Sequence, residues 1–103
     1  MLKKDEKQIV CVAQFMAKEG KTDELLRALH SLLEPTHKEE GCVRYELNQA
    51  IENPRSIVFV EKFKDQKAFD FHCNTPHVKR LLNEIAPALA ESFAVTLCKE
   101  ILP

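Results

Sequence analysis

The middle of the chain, residues 41–63, has the sequence GCVRYELNQAIENPRSIVFVEKF. Apolar and polar residues alternate through 42–50, which is the period-two pattern of a β-strand. Residues 52–55 (ENPR) form a turn signal, and the apolar segment 56–63 predicts a second strand. Two such strands joined by a short turn predict a β-hairpin.

Upstream of the hairpin, the sequence predicts a strand followed by a helix. Residues 9–17 (IVCVAQFMA) are apolar and rich in β-branched side chains, as expected of a strand buried on both faces. From Asp23 to about Lys38, leucines recur at spacings of three and four, which predicts an amphipathic helix. We expect Thr22 to cap this helix. We expect Pro35 to kink or close it.

Downstream of the hairpin, the pattern changes to helices and then to a last strand. Asp65 is placed to cap a short helix that ends near Cys73. Pro76 suits the first turn of a second helix, which Pro87 should bend. Alternation over residues 94–102 predicts a fourth strand.

The predicted element order is β-α-β-β-α-β, the ferredoxin-like arrangement of an α+β domain. It has an antiparallel four-stranded sheet with both helices on one face. The first strand is apolar on both faces, with Val10, Val12 and Met16 on one side. In a chain of 103 residues, only a second subunit can cover the other face. We therefore expect a homodimer that joins two sheets face to face.

Length and charge exclude several classes of protein. One domain is expected, comprising residues 9–103 after a flexible polar tail at 1–8 (MLKKDEKQ). The formal net charge of −1 gives no indication of a nucleic-acid partner. No apolar run is long enough for a membrane span, so no membrane association is expected. The tail lacks the apolar stretch of a secretory signal, which favours a cytoplasmic location.

A buried acid–base pair is the main candidate for chemistry. Glu61 shares a strand face with apolar residues, where an unpaired carboxylate costs several kcal/mol. His72 ends a predicted helix, and imidazole exchanges protons near neutral pH. A Glu61–His72 pair would satisfy both groups, either for catalysis or as a structural lock. His77 at the next helix start is a candidate to bind substrate, or a surface residue.

Three aromatic residues are candidate walls of a binding pocket. Tyr45, Phe59 and Phe63 belong to the hairpin strands, and flat aromatic walls suit a flat ligand. Plain core packing is the alternative for these side chains. The four histidines are scattered along the chain, and the four cysteines form no CxxC pair, so no metal site is expected.

Two sequence segments resemble the antibiotic biosynthesis monooxygenase family. The first comprises residues 61–65 (EKFKD), Ala68, His72 and residues 75–77 (TPH), and the second is residues 40–46 (EGCVRYE). The resemblance extends over about 9–101 and implies a dimeric α+β barrel. It also implies a small-molecule enzyme that oxidises a quinol or phenol with dioxygen and uses no cofactor.

The resemblance leaves more than one function open. An isomerase of a phosphorylated hydroxy-dione would use the same acid–base pair for enolisation. A non-catalytic dimeric module that binds a ligand is the remaining alternative. The haem-degrading branch is disfavoured, because Ala13 and Phe63 stand where that branch has asparagine and tryptophan.

Overall fold

A computed structural model describes residues 7–103 of the chain, so most of the expected tail at 1–8 lies outside the described residues. The strands are β1 (Ile9–Ala17), β2 (Cys42–Gln49), β3 (Ser56–Phe63) and β4 (Ala90–Cys98). The helices are α1 (Thr22–His30), α2 (Leu33–His37), α3 (Gln66–Cys73), α4 (Pro76–Arg80) and α5 (Ala86–Leu89). A turn of π-helix, Leu81–Ile85, joins α4 to α5.

The four strands form one antiparallel sheet in the order β2-β3-β1-β4. This confirms the ferredoxin-like β-α-β-β-α-β prediction, including the central hairpin. On β1, Cys11, Ala13, Phe15 and Ala17 face the helices and are buried, while the residues between them face the opposite side. The period-two pattern therefore assigned the faces of β1 correctly.

The core lies between the sheet and the helices. Phe15, Ile57, Phe59 and Phe63 come from the central strands, and all are essentially inaccessible to solvent. The leucines of α1, Leu25 and Leu29, close the core from the other side. Burial of this apolar surface is the main stabilising contribution to such a domain.

The first predicted helix is interrupted in the structure. The helix stops at His30 and resumes at Leu33, and the Ser31 hydroxyl donates a hydrogen bond to the Ala28 carbonyl. Pro35 has no N–H for the carbonyl four residues earlier, which is that of Ser31, so the break falls there. The predicted cap was wrong, because Thr22 is the first helical residue and Lys21 precedes it without a side-chain cap.

The last strand begins four residues earlier than predicted. Pro87 stands in α5, which ends at Leu89, and β4 pairs with β1 from Ala90 onward. The expected bend takes the form of the π turn immediately before α5. Asp65 and Pro76 are confirmed at their helix starts: Asp65 accepts a hydrogen bond from the Ala68 N–H, and Pro76 opens α4.

Two surfaces of the sheet keep apolar side chains in contact with solvent. On the face away from the helices, Val10, Val12, Val58 and Val60 are only partly buried. On β4, Phe93, Val95 and Leu97 are each about half exposed, at 44%, 50% and 49%. Among the helices of residues 7–103, none combines the length and apolarity needed to cross a membrane.

Candidate active site

Four ionisable side chains meet under one end of the sheet. Glu61 comes from β3, His72 from the last turn of α3, His77 from the first turn of α4, and Glu39 from the segment that connects α2 to β2. The side chains of Glu39, Glu61 and His72 are each 5% exposed, and that of His77 is 21% exposed.

Glu39 is the centre of this group. His72 Nδ1 lies 3.1 Å and 3.0 Å from the two carboxylate oxygens of Glu39, and His77 Nε2 lies 2.7 Å from Oε2. A carboxylate only accepts hydrogen bonds, so both imidazoles donate an N–H to it. One buried carboxylate thereby fixes the orientation of two histidine rings.

The other ring nitrogen of His72 faces Glu61. His72 Nε2 lies 3.6 Å from Glu61 Oε1, which is beyond a good hydrogen bond. Within residues 7–103, that oxygen has no hydrogen-bond partner. The order of groups is therefore Glu61, His72, Glu39 and His77, with the last three joined by hydrogen bonds.

Burial shifts the proton affinities of the two inner groups. Loss of hydration raises the pKa of Glu61 to about 8, and the Cys11 thiol opposite it in the sheet lowers this pKa only in part. Loss of hydration lowers the pKa of His72, against the opposing influence of Glu39. Near neutral pH these shifts favour a protonated Glu61 carboxyl and a neutral His72.

Local packing and capping hold the two histidines. The Thr75 hydroxyl donates to the His72 carbonyl at 2.7 Å and accepts from the Val78 N–H at 3.3 Å, joining the end of α3 to the start of α4. Gly41 allows the segment carrying Glu39 to approach α3, because a Cβ on Gly41 would stand 2.3 Å from the Ala68 Cβ.

A cavity of about 670 Å³ opens beside the group. Both Glu39 and His77 line it, together with the exposed side chain of Phe71. Its other lining residues include Gly41, Ala68 and Thr75, and the charged residues Lys38, Glu40, Lys64, Asp65 and Lys67. This volume is within the range of small-molecule sites.

Comparison with known proteins places the chain in a family. Residues 8–84 match the family model described as antibiotic biosynthesis monooxygenase. The chain belongs to this family.

Relatives and solved structures agree with the assignment. The "Putative monooxygenase YcnE" of Bacillus subtilis is 35% identical over 69 residues, covering 67% of this chain and 73% of its own length. The crystal structure of protein SO0527 from Shewanella oneidensis is 48% identical, covers 90% of each chain and superposes with a TM-score of 0.89. A longer relative, "Uncharacterized protein sll1783" of Synechocystis, is 24% identical over 88% of this chain, and the match spans 62% of that protein.

The structure brings together some of the predicted site residues of this family member. Glu61 and His72 are neighbours, as expected, and His77 joins them through Glu39 while also reaching the cavity. His72 is buried behind Glu39 and does not line the cavity. The histidines are less scattered than the sequence suggests, since two of them share one carboxylate.

The three predicted aromatic wall residues are buried rather than placed along the cavity. The rings of Tyr45 and Phe63 stand 5.4 Å and 4.7 Å from the His72 ring, centroid to centroid. Phe59 stacks on Tyr45 at 4.6 Å, one layer further from His72. They form an apolar enclosure around the imidazole, and Phe71 is the aromatic residue at the cavity.

Sequence reasoning did not find Glu39. It precedes the acidic residue and glycine of the family-like segment EGCVRYE, next to the hairpin, so its neighbourhood carried a signal. Its role depends on a contact with residues 33 and 38 positions away, which no local pattern contains.

Proposed function

We propose that the protein is a cofactor-independent monooxygenase that oxidises a phenol or quinol with dioxygen. The supporting observation is the carboxylate of Glu39, which orients His77 at the wall of the cavity and His72 behind it. The family membership supports a monooxygenase-like role in general, and the substrate and the chemistry are our proposal.

In this mechanism, His77 is the catalytic residue, because it reaches the cavity. It accepts the phenolic proton, while Glu39 stabilises the imidazolium that forms, and general-base catalysis of this kind contributes about 10²–10⁴-fold. His72 and Glu61 act as positioning residues: His72 holds the Glu39 carboxylate, and Glu61 faces the second nitrogen of His72.

The phenolate then reacts directly with dioxygen at a ring carbon. A carbon–oxygen bond forms, the O–O bond breaks, and the ring C–H proton is lost. One oxygen atom becomes the second quinone carbonyl and the other leaves as water. The phenol loses four electrons and dioxygen gains four, so the reaction balances without a metal or flavin.

The exposed Phe71 side chain at the cavity suits a flat aromatic substrate. Its ring is 63% exposed and lies at the cavity, where it offers a face for stacking. This supports a phenol or quinol as the substrate class.

The test is oxygen uptake by chelator-treated protein with a panel of phenols and quinols. We expect enzyme-dependent uptake, ¹⁸O from labelled dioxygen in the quinone, and a loss of about 100-fold in kcat/KM for His77→Gln. His30→Gln is the matched control, since His30 is exposed and outside the cavity lining. Equal activity of the two variants would remove His77 from the mechanism.

An isomerase of a phosphorylated hydroxy-dione is the second candidate. Lys38, Lys64 and Lys67 line the cavity, and none of them forms an ion pair with another described residue. Such lysines favour an anionic substrate, and His77 would then shuttle a proton between adjacent carbons. Turnover of such a dione without oxygen uptake would establish this function. Ligand binding without any turnover would instead indicate the non-catalytic module.

We also propose that the working unit is a homodimer. We propose further that the protein is cytoplasmic and that its cysteines are reduced there. The valines on the outer sheet face and the half-exposed apolar residues of β4 need a cover that one chain does not provide. All four cysteines are free thiols, as is typical of cytoplasmic proteins.

The dimer is tested by light scattering after size exclusion. Thr96 lies opposite Val12 on the outer face and is exposed, so Thr96→Arg should place a charge in the interface without disturbing the chain's own core. We expect a dimer for the native protein and a monomer for Thr96→Arg. Lys99→Glu, outside the sheet, is the control, and a monomeric native protein would contradict the proposal.

A further inference from the structure

We propose that Glu39, His72 and His77 form a binding site for one divalent transition-metal ion, with Zn²⁺ as the representative case. One carboxylate oxygen and one nitrogen from each imidazole lie within 4.8 Å of one another. Imidazole and carboxylate are ordinary ligands of Zn²⁺, and three protein ligands with an open position are typical of reactive zinc sites.

The distances between the donor atoms are close to those that a metal requires. Glu39 Oε2 lies 3.0 Å from His72 Nδ1 and 2.7 Å from His77 Nε2. In a tetrahedral zinc site with bonds of about 2.0–2.1 Å, neighbouring ligand atoms stand about 3.3 Å apart. These two distances would lengthen by about 0.3 Å and 0.6 Å, with the two imidazole nitrogens, which lie within 4.8 Å of each other, adjusting to the same spacing. The ion replaces the two protons that now lie between the donors.

Glu61 completes the surroundings of such a site. Metal-bound histidines commonly donate their second N–H to a carboxylate, which fixes the ring and its tautomer. His72 is arranged in this way, with Nδ1 toward Glu39 and Nε2 toward Glu61 Oε1 at 3.6 Å. On metal binding, the proton of His72 moves to Nε2, where it points toward the otherwise unpartnered oxygen of Glu61 and can form a hydrogen bond once the 3.6 Å distance shortens slightly.

An ion has a route to this position and an open coordination site. Glu39 and His77 both line the 670 Å³ cavity, so the side of the ion away from His72 faces water or a ligand. The lining lysines, Lys38, Lys64 and Lys67, are balanced in formal charge by Glu39, Glu40 and Asp65. The cavity therefore presents no net formal positive charge against the entry of a cation.

Metal binding has a consequence for activity, and this consequence rests on the proposed function. The ion takes Nε2 of His77 and replaces its hydrogen bond to Glu39, so the carboxylate can no longer stabilise the imidazolium that forms when His77 accepts the substrate proton. Zn²⁺ should then inhibit oxygen uptake, and a chelator should restore it. The existence of the metal site does not depend on the reaction.

The test is calorimetric titration of the chelator-treated native protein with ZnCl₂, in the absence of substrate. We expect one Zn²⁺ per chain, and a weakening of about 10-fold or more for Glu39→Gln and for His77→Gln. A Co²⁺ titration gives a second readout, the visible absorption of a low-coordinate Co²⁺ ion with nitrogen ligands. Circular dichroism checks folding, and His77→Gln, at a partly exposed position, is the second variant should Glu39→Gln not fold.

Two controls separate this site from surface binding. His30→Gln removes an exposed histidine, and Cys98→Ser removes the exposed thiol, and both should bind Zn²⁺ as the native protein does. Absence of binding, unchanged binding in His77→Gln, or loss of binding in Cys98→Ser would overturn the proposal. Because the titration contains no substrate, it decides the metal site whether or not oxygen is consumed.

Discussion

The two ends of the core lie under the same face of the sheet but differ in composition. One end consists of apolar side chains and the other of ionisable side chains. At one end, β3 contributes Ile57, and Phe15 packs edge to face against Phe59 with ring centroids 6.3 Å apart. Two residues after Phe59, the same strand presents Glu61 to a second carboxylate and two histidines. One strand therefore serves an apolar cluster and a polar one with no change of face.

The difference between the two ends indicates which of them contributes more to the stability of the fold. Apolar burial stabilises a fold by about 25 cal/mol per Å². Burial of ionisable groups is often no better than burial of apolar residues of the same size. The polar end retains Glu61 with a buried oxygen that lacks a partner among the described residues. Stability alone therefore does not explain its composition.

The largest expected effect comes from the apolar end. Leu29 is fully buried, and Leu29→Ala should lower the free energy of unfolding by about 3–4 kcal/mol, because it leaves a cavity that the sheet cannot fill. Urea unfolding monitored by circular dichroism measures this loss. Per folded molecule, activity should be unchanged, because Leu29 lies on α1, which carries none of the four ionisable groups.

A neighbouring leucine provides the control for this prediction. Leu26 is on the same helix and is only partly buried, so Leu26→Ala should cost clearly less than Leu29→Ala. An equal loss in the free energy of unfolding for the two variants would contradict the conclusion that the buried side chains of the apolar end are the main source of stability.

Much of the fold could be predicted from the sequence, because its signals are local. The hairpin follows from alternation within residues 42–63, and the helix starts at Asp65 and Pro76 follow from side chains that act within one turn. The start of β4 was misplaced, because Ala90 to Phe93 are compatible with either helix or strand. Only pairing with β1 decides between the two.

The site was predictable in part. Glu61 and His72 could be paired from the sequence, since a carboxylate on an apolar strand face needs a partner. The stronger partner of His72 is Glu39, which a separation of 33 residues conceals. The burial of Tyr45 and Phe63 around His72 was equally invisible, because alternation assigns a face but not the position of a cavity on that face.

The second-largest expected effect is a dependence of stability on pH, which should come from the polar end of the core and not from the apolar end. The pKa of Glu61 is about 8 in the folded protein and about 4.5 when unfolded, so between these values the folded state binds the extra proton. Stability should therefore fall by about 2 kcal/mol as the pH rises from 6.5 to 8.5. Below about pH 6.5, the lowered pKa of His72 acts in the opposite direction and offsets the effect of Glu61, so the fall in stability should be seen mainly above pH 6.5.

Urea titrations in the presence of a chelator, repeated across this pH range, test the assignment. Glu61→Gln should flatten the fall above pH 6.5, and Glu46→Gln, an exposed residue on β2, should leave it unchanged. Leu29→Ala should shift the whole curve downward without changing its slope. A slope that survives in Glu61→Gln would show that another group is responsible.

The substitution with the smallest expected effect on stability, Gly41→Ala, should have a large effect on the geometry of the site. Gly41→Ala places a methyl group 2.3 Å from the Ala68 Cβ, so the segment that carries Glu39 must move away from α3. Overpacking of this kind costs about 1–2 kcal/mol. Because His72 and Glu39 lie on the two sides of this contact, their hydrogen bonds should weaken, and the Nδ1–H resonance of His72 should exchange faster in NMR spectra.

A second substitution tests whether the contact itself is the cause. Ala68→Gly removes the opposing methyl group, so the double variant Gly41→Ala, Ala68→Gly should regain the slow exchange of His72 that Gly41→Ala loses. Glycine within α3 costs about 1 kcal/mol by itself, so the double variant need not regain stability. If the slow exchange of the His72 N–H recovers while the free energy of unfolding does not, the geometry of the polar end depends on this contact and not on overall stability. Recovery of neither would assign the effect of Gly41→Ala to the backbone of the segment rather than to its approach to α3.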